Sequence, residues 1–137
     1  MNLRTELSLD IRYYETDQMG IVHHSNYIRF FECGRSDMMK KVGLPVEKME
    51  QDGVLTAIVG VEAHYKHPAK MGDTIRIVTT MDKRPTAKAV INSTIYNQDG
   101  LLCCEGGVTI GFLDKETLRP MRCPDWMCDL FENYKAD

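Results

Sequence analysis

No stretch of the chain is apolar enough, for long enough, to cross a bilayer as a helix. Met1 to Asp10 also lacks the charged-then-apolar pattern of a secretory leader. Both absences lead us to expect a cytoplasmic protein. Excess positive charge is missing too. The net charge is −3, whereas a nucleic-acid partner calls for a basic footprint. A local basic patch for a small phosphorylated ligand is still allowed. Cysteine is present but unpatterned. Cys33, Cys103, Cys104, Cys123 and Cys128 form no CxxC pair, and no Cys/His pair has zinc-finger spacing. Neither a bound metal nor a disulfide framework is expected, and reduced, mostly buried thiols are the simplest reading. Repeats, low-complexity tracts and linkers are likewise absent.

What remains is an ordinary globular composition, 43% apolar and 27% charged over 137 residues. That length fits one domain, 1–137, burying roughly two-thirds of its unfolded surface. Residues 7–14 alternate, with Leu7, Leu9, Ile11 and Tyr13 on one side and Ser8, Asp10, Arg12 and Tyr14 on the other, which predicts a half-buried strand. Residues 15–25 read as a loop. Over 26–42, Tyr27, Phe31, Gly34, Met38 and Val42 recur at helical spacing. Ser25 or Asn26 is the expected N-cap, Lys40 and Lys41 suit the last turn, and Gly43 suits the C′ position. Gly34 costs helix propensity, so close contact with a sheet is expected there. A short helical turn is expected around 45–50. Strands follow over 54–66, 74–82, 86–96 and 101–113, with a hairpin signal at Asn97-Gln98-Asp99-Gly100. Residues 114–137 form a polar tail with a short helix over 126–134.

One strand, one long helix and then consecutive strands predict an α+β domain, an antiparallel sheet with the helix on one face. Strands this long leave an edge to protect, and pairing with a second copy is one solution.

The chemistry concentrates in Arg12 to Tyr27. An acid, a Gly turn and two histidines lie between a strand and the start of a helix. A helix N-terminus offers unpaired N–H groups and partial positive charge, which suit an oxyanion or a polarised carbonyl. A carboxylate on the loop before it suits thioester hydrolysis, because a thiol leaves as thiolate with little protonation. The carboxylate either activates water or attacks directly.

Tyr13, Thr16-Asp17, Gly20 and His24-Ser25-Asn26-Tyr27, followed by Glu32 and Arg35, resemble the signature of the hotdog-fold 4-hydroxybenzoyl-CoA thioesterase family, including its short acyl-CoA thioesterase branch. Tyr65 to Asp73 resembles the family's Pro-Ala-x-x-Gly-Asp turn. The likeness spans residues 7 to about 113. It implies a five-stranded antiparallel sheet around one long central helix, no cofactor, and acyl-CoA as substrate. It also implies a homodimer or homotetramer with sites at subunit interfaces. Asp17 would be the catalytic carboxylate, and the backbone N–H of His24 would polarise the carbonyl. His23 departs from the Tyr or Phe of many relatives, which bears on the acyl group accepted. Tyr14, His23, Asn26 and Tyr27 are the candidate substrate-binding residues.

Each reading has an ordinary alternative. Asp17 suits a turn or cap. Glu32 is a rival carboxylate, but an ion pair with Arg35 three residues on explains it more simply. Lys66, Lys70, Arg84 and Lys88 are candidates for the coenzyme A phosphates, against a solvated basic face. His64 and His67 read as strand-surface or turn residues. The competing functions are hydrolysis of acyl carrier protein thioesters and non-catalytic acyl binding.

Overall fold

Along β1 (Leu3–Asp10) and β4 (Lys88–Tyr96) every second residue is the more buried one, as a sheet covered on one face by a helix requires. The computed structural model describes residues 1–136, apart from the Val46 side chain. The elements are β1 (Leu3–Asp10), a 3-10 turn (Tyr13–Glu15), α1 (Ser25–Lys41), α2 (Val46–Gln51), β2 (Val54–Tyr65), β3 (Thr74–Met81), β4 (Lys88–Tyr96), β5 (Leu102–Asp114), β6 (Pro120–Met121) and α3 (Asp125–Asn133). All pairings are antiparallel, in the order β1-β3-β4-β5-β2, with the short β6 added beside β5. The expected five-stranded sheet around a central helix is therefore observed, with a two-residue sixth strand. Among the described residues, no helix is long and apolar enough to cross a membrane.

Two expected boundaries move. The first strand occupies Leu3–Asp10 rather than 7–14, with Leu3 opposite Met81 and Asp10 opposite Thr74. It ends because Glu15 folds the following residues back. One Glu15 oxygen accepts the Arg12 backbone N–H at 2.7 Å and the other accepts the Arg12 guanidinium at 2.7 Å. The polar tail also does more than its composition implied. Cys123, Met127, Cys128 and Phe131 join Met38, Met81, Ile91 and Phe112 in one core cluster. Arg84 ties α3 from outside, bonding Asp125 at 3.2 Å and Asp129 and Glu132 at 3.1 Å each.

α1 lies across the concave face of the sheet. Its N-terminal half places Tyr27, Phe30 and Phe31 among Ile75, Ile77, Ile95, Cys103 and Cys104. Its C-terminal half places Met38, Met39 and Val42 among Met81, Ile91, Val108 and Phe112. The helix closes in a Schellman motif. Leu44 N–H bonds Met39 O at 2.8 Å and Gly43 N–H bonds Lys40 O at 3.0 Å, with Gly43 at φ 87°. Gly34 is where helix and sheet come closest. A Cβ there would lie 2.4 Å from Thr79 Oγ1 and 2.8 Å from Ile77 Cγ2. Gly106 plays the matching part within the sheet, where a Cβ would meet the Glu62 carbonyl oxygen at 2.1 Å. With no side chain at that point, β5 and β2 close together and the sheet curves around α1.

Candidate active site

The loop between the 3-10 turn and α1 is built almost wholly from main-chain bonds. Thr16 and Val22 form an isolated antiparallel bridge, and Asp17 N–H bonds Ile21 O at 2.8 Å. Gly20 N–H bonds Asp17 O at 3.0 Å, with Gly20 at φ 75°, which favours glycine at this turn. Asp17 therefore stands at the start of a tight turn. Its Oδ1 accepts the Met19 N–H at 2.8 Å and the Ile21 N–H at 3.4 Å. Those bonds fix the carboxylate plane, and among the described residues no donor engages Oδ2. The carboxylate is half-buried.

The same loop is pinned to the start of α1. Glu15 O accepts the His23 N–H at 2.9 Å and the Asn26 side-chain amide at 2.9 Å. Glu15 is the buried acid beneath this joint, 5% exposed. Burial works to raise its pKa, but the hydrogen bonds from the Arg12 side chain and backbone prevail and hold it below the ordinary carboxylate value. Glu15 is thus a charged buttress. Glu15, which no reading of the sequence singled out, fixes the geometry of its neighbours.

The helix N-terminus differs from the expectation. Ser25 and Asn26 lie inside α1, and His24 takes the N-cap position with no side-chain cap. Asn26 stands one residue inside the helix, where its side-chain amide nitrogen donates to Glu15 O and ties α1 to the loop. His23 Nδ1 instead lies 3.3 Å from the Ser25 N–H, which donates to it, and 2.8 Å from Ser25 Oγ. Among the described residues, the His24 N–H is given no acceptor. It is a free donor at the positive end of a helix of 17 residues.

Of the other candidates, Tyr27 is buried and its hydroxyl accepts the Ala69 N–H at 3.1 Å, locking α1 to the turn after β2. Tyr14 is exposed, with the Arg12 guanidinium 5.1 Å from its ring centre. His23 and His24 stack with centroids 4.2 Å apart, both exposed. Lys70 reaches the loop through its backbone, bridging to Ile21, and Met71 N–H bonds Gly20 O at 3.0 Å. Lys66 follows the end of β2, with Nζ 3.8 Å from Glu105. Arg84 and Lys88 stand elsewhere. Lys88 pairs with Gly111 at the opposite end of the sheet, and both line a separate cavity of about 410 Å³ with Lys83 and Asn92. The charge of Arg84 is taken up by three carboxylates of α3. The expected Glu32–Arg35 ion pair does not form within the chain. Among the described residues, neither side chain has a salt-bridge partner.

Sequence reasoning passed over Tyr65. Its hydroxyl donates to His24 O at 3.4 Å, and its ring lies 5.5 Å from that of Tyr27 and 6.3 Å from that of His24. Tyr65 closes β2 and is half exposed, so it forms a wall beside the helix N-terminus. Its place immediately before Lys66-His67-Pro68 was the available signal.

This geometry has relatives. YneP of Bacillus subtilis (strain 168), provisionally named an acyl-CoA thioesterase, is 36% identical over 122 residues, covering 86% of this chain and 88% of its own. The acyl-CoA thioester hydrolase YbgC of Escherichia coli O157:H7 is 24% identical over 114 residues, covering 83% and 85%. The crystal structure of a DHNA-CoA thioesterase from Staphylococcus aureus superposes with a TM-score of 0.83 at 28% identity, covering 97% of this chain and 88% of that one. The sequence profile of the thioesterase-like superfamily matches residues 11–131, which takes in the Asp17 loop, α1 and strands β2 to β6, and the chain belongs to that superfamily.

Proposed function

We propose that this protein hydrolyses the thioester of a small acyl-CoA, with Asp17 as the catalytic carboxylate and the His24 backbone N–H as the carbonyl-polarising donor. The observation that carries this reading is the pairing of two prepared groups on one pinned loop. Asp17 has one oxygen fixed by main-chain N–H groups and the other unengaged. His24 heads α1 without capping it through its side chain, and among the described residues its own N–H has no acceptor. Negative charge that develops on the thioester oxygen is stabilised by such a donor without reorganisation. The carbonyl carbon then takes oxygen either from Asp17, giving a mixed anhydride that water hydrolyses to free acid and Asp17, or directly from water that Asp17 deprotonates; in both the C–S bond breaks and coenzyme A leaves as thiolate. Both routes use Oδ2. Single-turnover hydrolysis in ¹⁸O-water tests for direct attack, because an unlabelled first product with label in Asp17 arises only when water opens the mixed anhydride at the Asp17 carboxyl carbon. The names of YneP and YbgC agree with acyl-CoA as the substrate class.

Lys66 and Lys70 are the cations we assign to the coenzyme A phosphates, since both flank the turn that contacts the Asp17 loop. His23, beside His24, and the Tyr14 and Tyr65 rings supply contacts for the rest of the substrate. The working unit is a homo-oligomer. Exposed histidines leave the reacting atoms open to bulk water, and a dry site needs a further wall. β2 supplies the means. One of its edges pairs with β5, while the other is free and displays Ile58, Val59, Val61 and Tyr65, each at least 43% exposed. A long apolar edge of this kind is covered in a working protein. A second copy paired along β2 covers it and sets the partner beside each Asp17 loop. Reduced, buried thiols fit a cytosolic place of work.

The test is thiol release from a panel of acyl-CoAs of graded chain length and aromatic type, run beside acyl carrier protein thioesters. Turnover of one or more acyl-CoAs supports the reading. Turnover of carrier-protein thioesters alone, or of nothing, overturns it.

A further inference from the structure

The ion pair missing from α1 has a consequence for assembly. Ile28, Glu32, Arg35 and Met39 follow one another at four-, three- and four-residue steps, so they form one stripe along the helix. Glu32, Arg35 and Met39 line a groove with Ser36, Thr56 and Ile58, so the stripe faces β2 and its free edge. Arg35 is partly buried there; burial lowers its pKa, the charge of Glu32 only opposes that shift, and among the described residues no carboxylate lies within ion-pair distance of it.

The stripe is self-complementary when reversed. In one direction it reads apolar, acid, base, apolar; in the other, apolar, base, acid, apolar. α1 and β2 run in opposite directions, since His24 at the start of α1 touches Tyr65 at the end of β2. From that contact the midpoint of Glu32 and Arg35 is about 14 Å along the helix at about 1.5 Å per residue. The same distance along β2, at about 3.3 Å per residue, is about four residues back from Tyr65. That point is Gly60–Val61, close to the middle of the free edge that spans Val54–Tyr65. A two-fold axis that pairs the full length of β2 with its copy therefore passes near the midpoint of the charged pair as well.

We infer that two copies of this chain assemble about that axis with reciprocal ion pairs, Glu32 to the partner's Arg35 and Arg35 to the partner's Glu32, flanked by contacts of Ile28 with the partner's Met39. The occupant of the groove is a second copy, on the ground of charge complementarity and of the shared centre of helix stripe and strand edge. This rests on the homo-oligomer reading above and supplies its specificity: a neighbour without the reversed stripe meets an unpaired, partly buried guanidinium.

Sedimentation velocity over a dilution series tests the inference. Glu32→Arg and Arg35→Glu each create two like-charge contacts across the axis and raise the dimer dissociation constant on the order of 100-fold. The double reversal Glu32→Arg/Arg35→Glu restores opposite charges and returns it to within about 10-fold of the unmodified protein. Mixing the two single variants produces a heterodimer tighter than either homodimer. Circular dichroism confirms that each variant is folded, and the milder Glu32→Gln and Arg35→Gln pair gives a coupling energy should a reversal fail to fold. Single variants that dimerise like the unmodified protein, or a double reversal as weak as the singles, overturn the ion pairs. A monomeric unmodified protein overturns the assembly reading itself.

Discussion

Replacing Gly34 by alanine sets two effects of known size against each other. Helix propensity favours alanine by about 1 kcal/mol in a helix interior. Contact opposes it. The added methyl would lie 2.4 Å from Thr79 Oγ1 and 2.8 Å from Ile77 Cγ2, against about 3.5–4.0 Å for relaxed non-bonded contact. Thr79 and Ile77 are fully buried on β3, so neither has free space to yield into. α1 must lift by roughly 1 Å, and overpacking of that kind costs about 1–3 kcal/mol. With the collision at the upper end of that range, the net loss is about 2 kcal/mol. For a domain of this size that corresponds to a fall in melting temperature of about 6 °C. Thermal and urea denaturation measure it. The Gly34→Ala/Thr79→Ala variant removes one of the two colliding groups, so its loss falls short of the sum of the single losses. Because α1 carries His24 at its head, Gly34→Ala also lowers turnover. An equal or higher melting temperature for Gly34→Ala would refute the close-contact argument.

The Glu15 carboxyl sits below its ordinary value of 4.5. The stability it contributes is therefore complete above the unfolded-state value and lost as pH falls through the lower folded-state value. Glu15→Gln costs about 2 kcal/mol at neutral pH, loses part of the acid sensitivity in denaturation from pH 6 to about pH 3, and lowers turnover. Gly106→Ala drives a methyl into the β2 backbone and costs about 3 kcal/mol or more by urea titration, with little soluble protein as the alternative readout. Lys66→Ala and Lys70→Ala raise KM for acyl-CoA several-fold while leaving kcat nearly unchanged. Arg84→Ala leaves KM unchanged and lowers the melting temperature, because its charge serves α3.

The fold was legible wherever periodicity was strong. The stripe Tyr27, Phe31, Gly34, Met38 gave α1 to within one residue, and the cost of glycine at 34 pointed to the sheet contact that is found. The Gly43 and Asn97–Gly100 signals matched their turns. The first strand was misplaced because Ile11 and Tyr13 continue its alternation, and nothing in that alternation reveals that Glu15 will reach back to Arg12. The N-cap was misread for a related reason. Ser and Asn are good caps locally, but the helix starts one residue earlier, with His24 at the cap and the Asn26 amide donating to Glu15 O, eleven residues away. The same non-local competition explains Arg84, whose charge goes to the carboxylates of α3. A sequence lists charges in order and does not say which meet. The tail gave no core signal because its apolar residues are interleaved with charges and prolines, yet Met127, Cys128 and Phe131 pack in one cluster with Met38, Met81 and Phe112.

In the proposed reaction Asp17 is the group that acts on the thioester. Asp17→Asn keeps the size of the side chain and an oxygen able to accept the Met19 and Ile21 N–H groups, so the turn survives while the carboxylate is lost. The decisive measurement is kcat of this variant against the best acyl-CoA of the panel, with unchanged melting temperature as the control. A fall of at least about 100-fold is predicted. Hydrolysis at the unmodified rate by folded Asp17→Asn would contradict the account and move the chemistry to another residue.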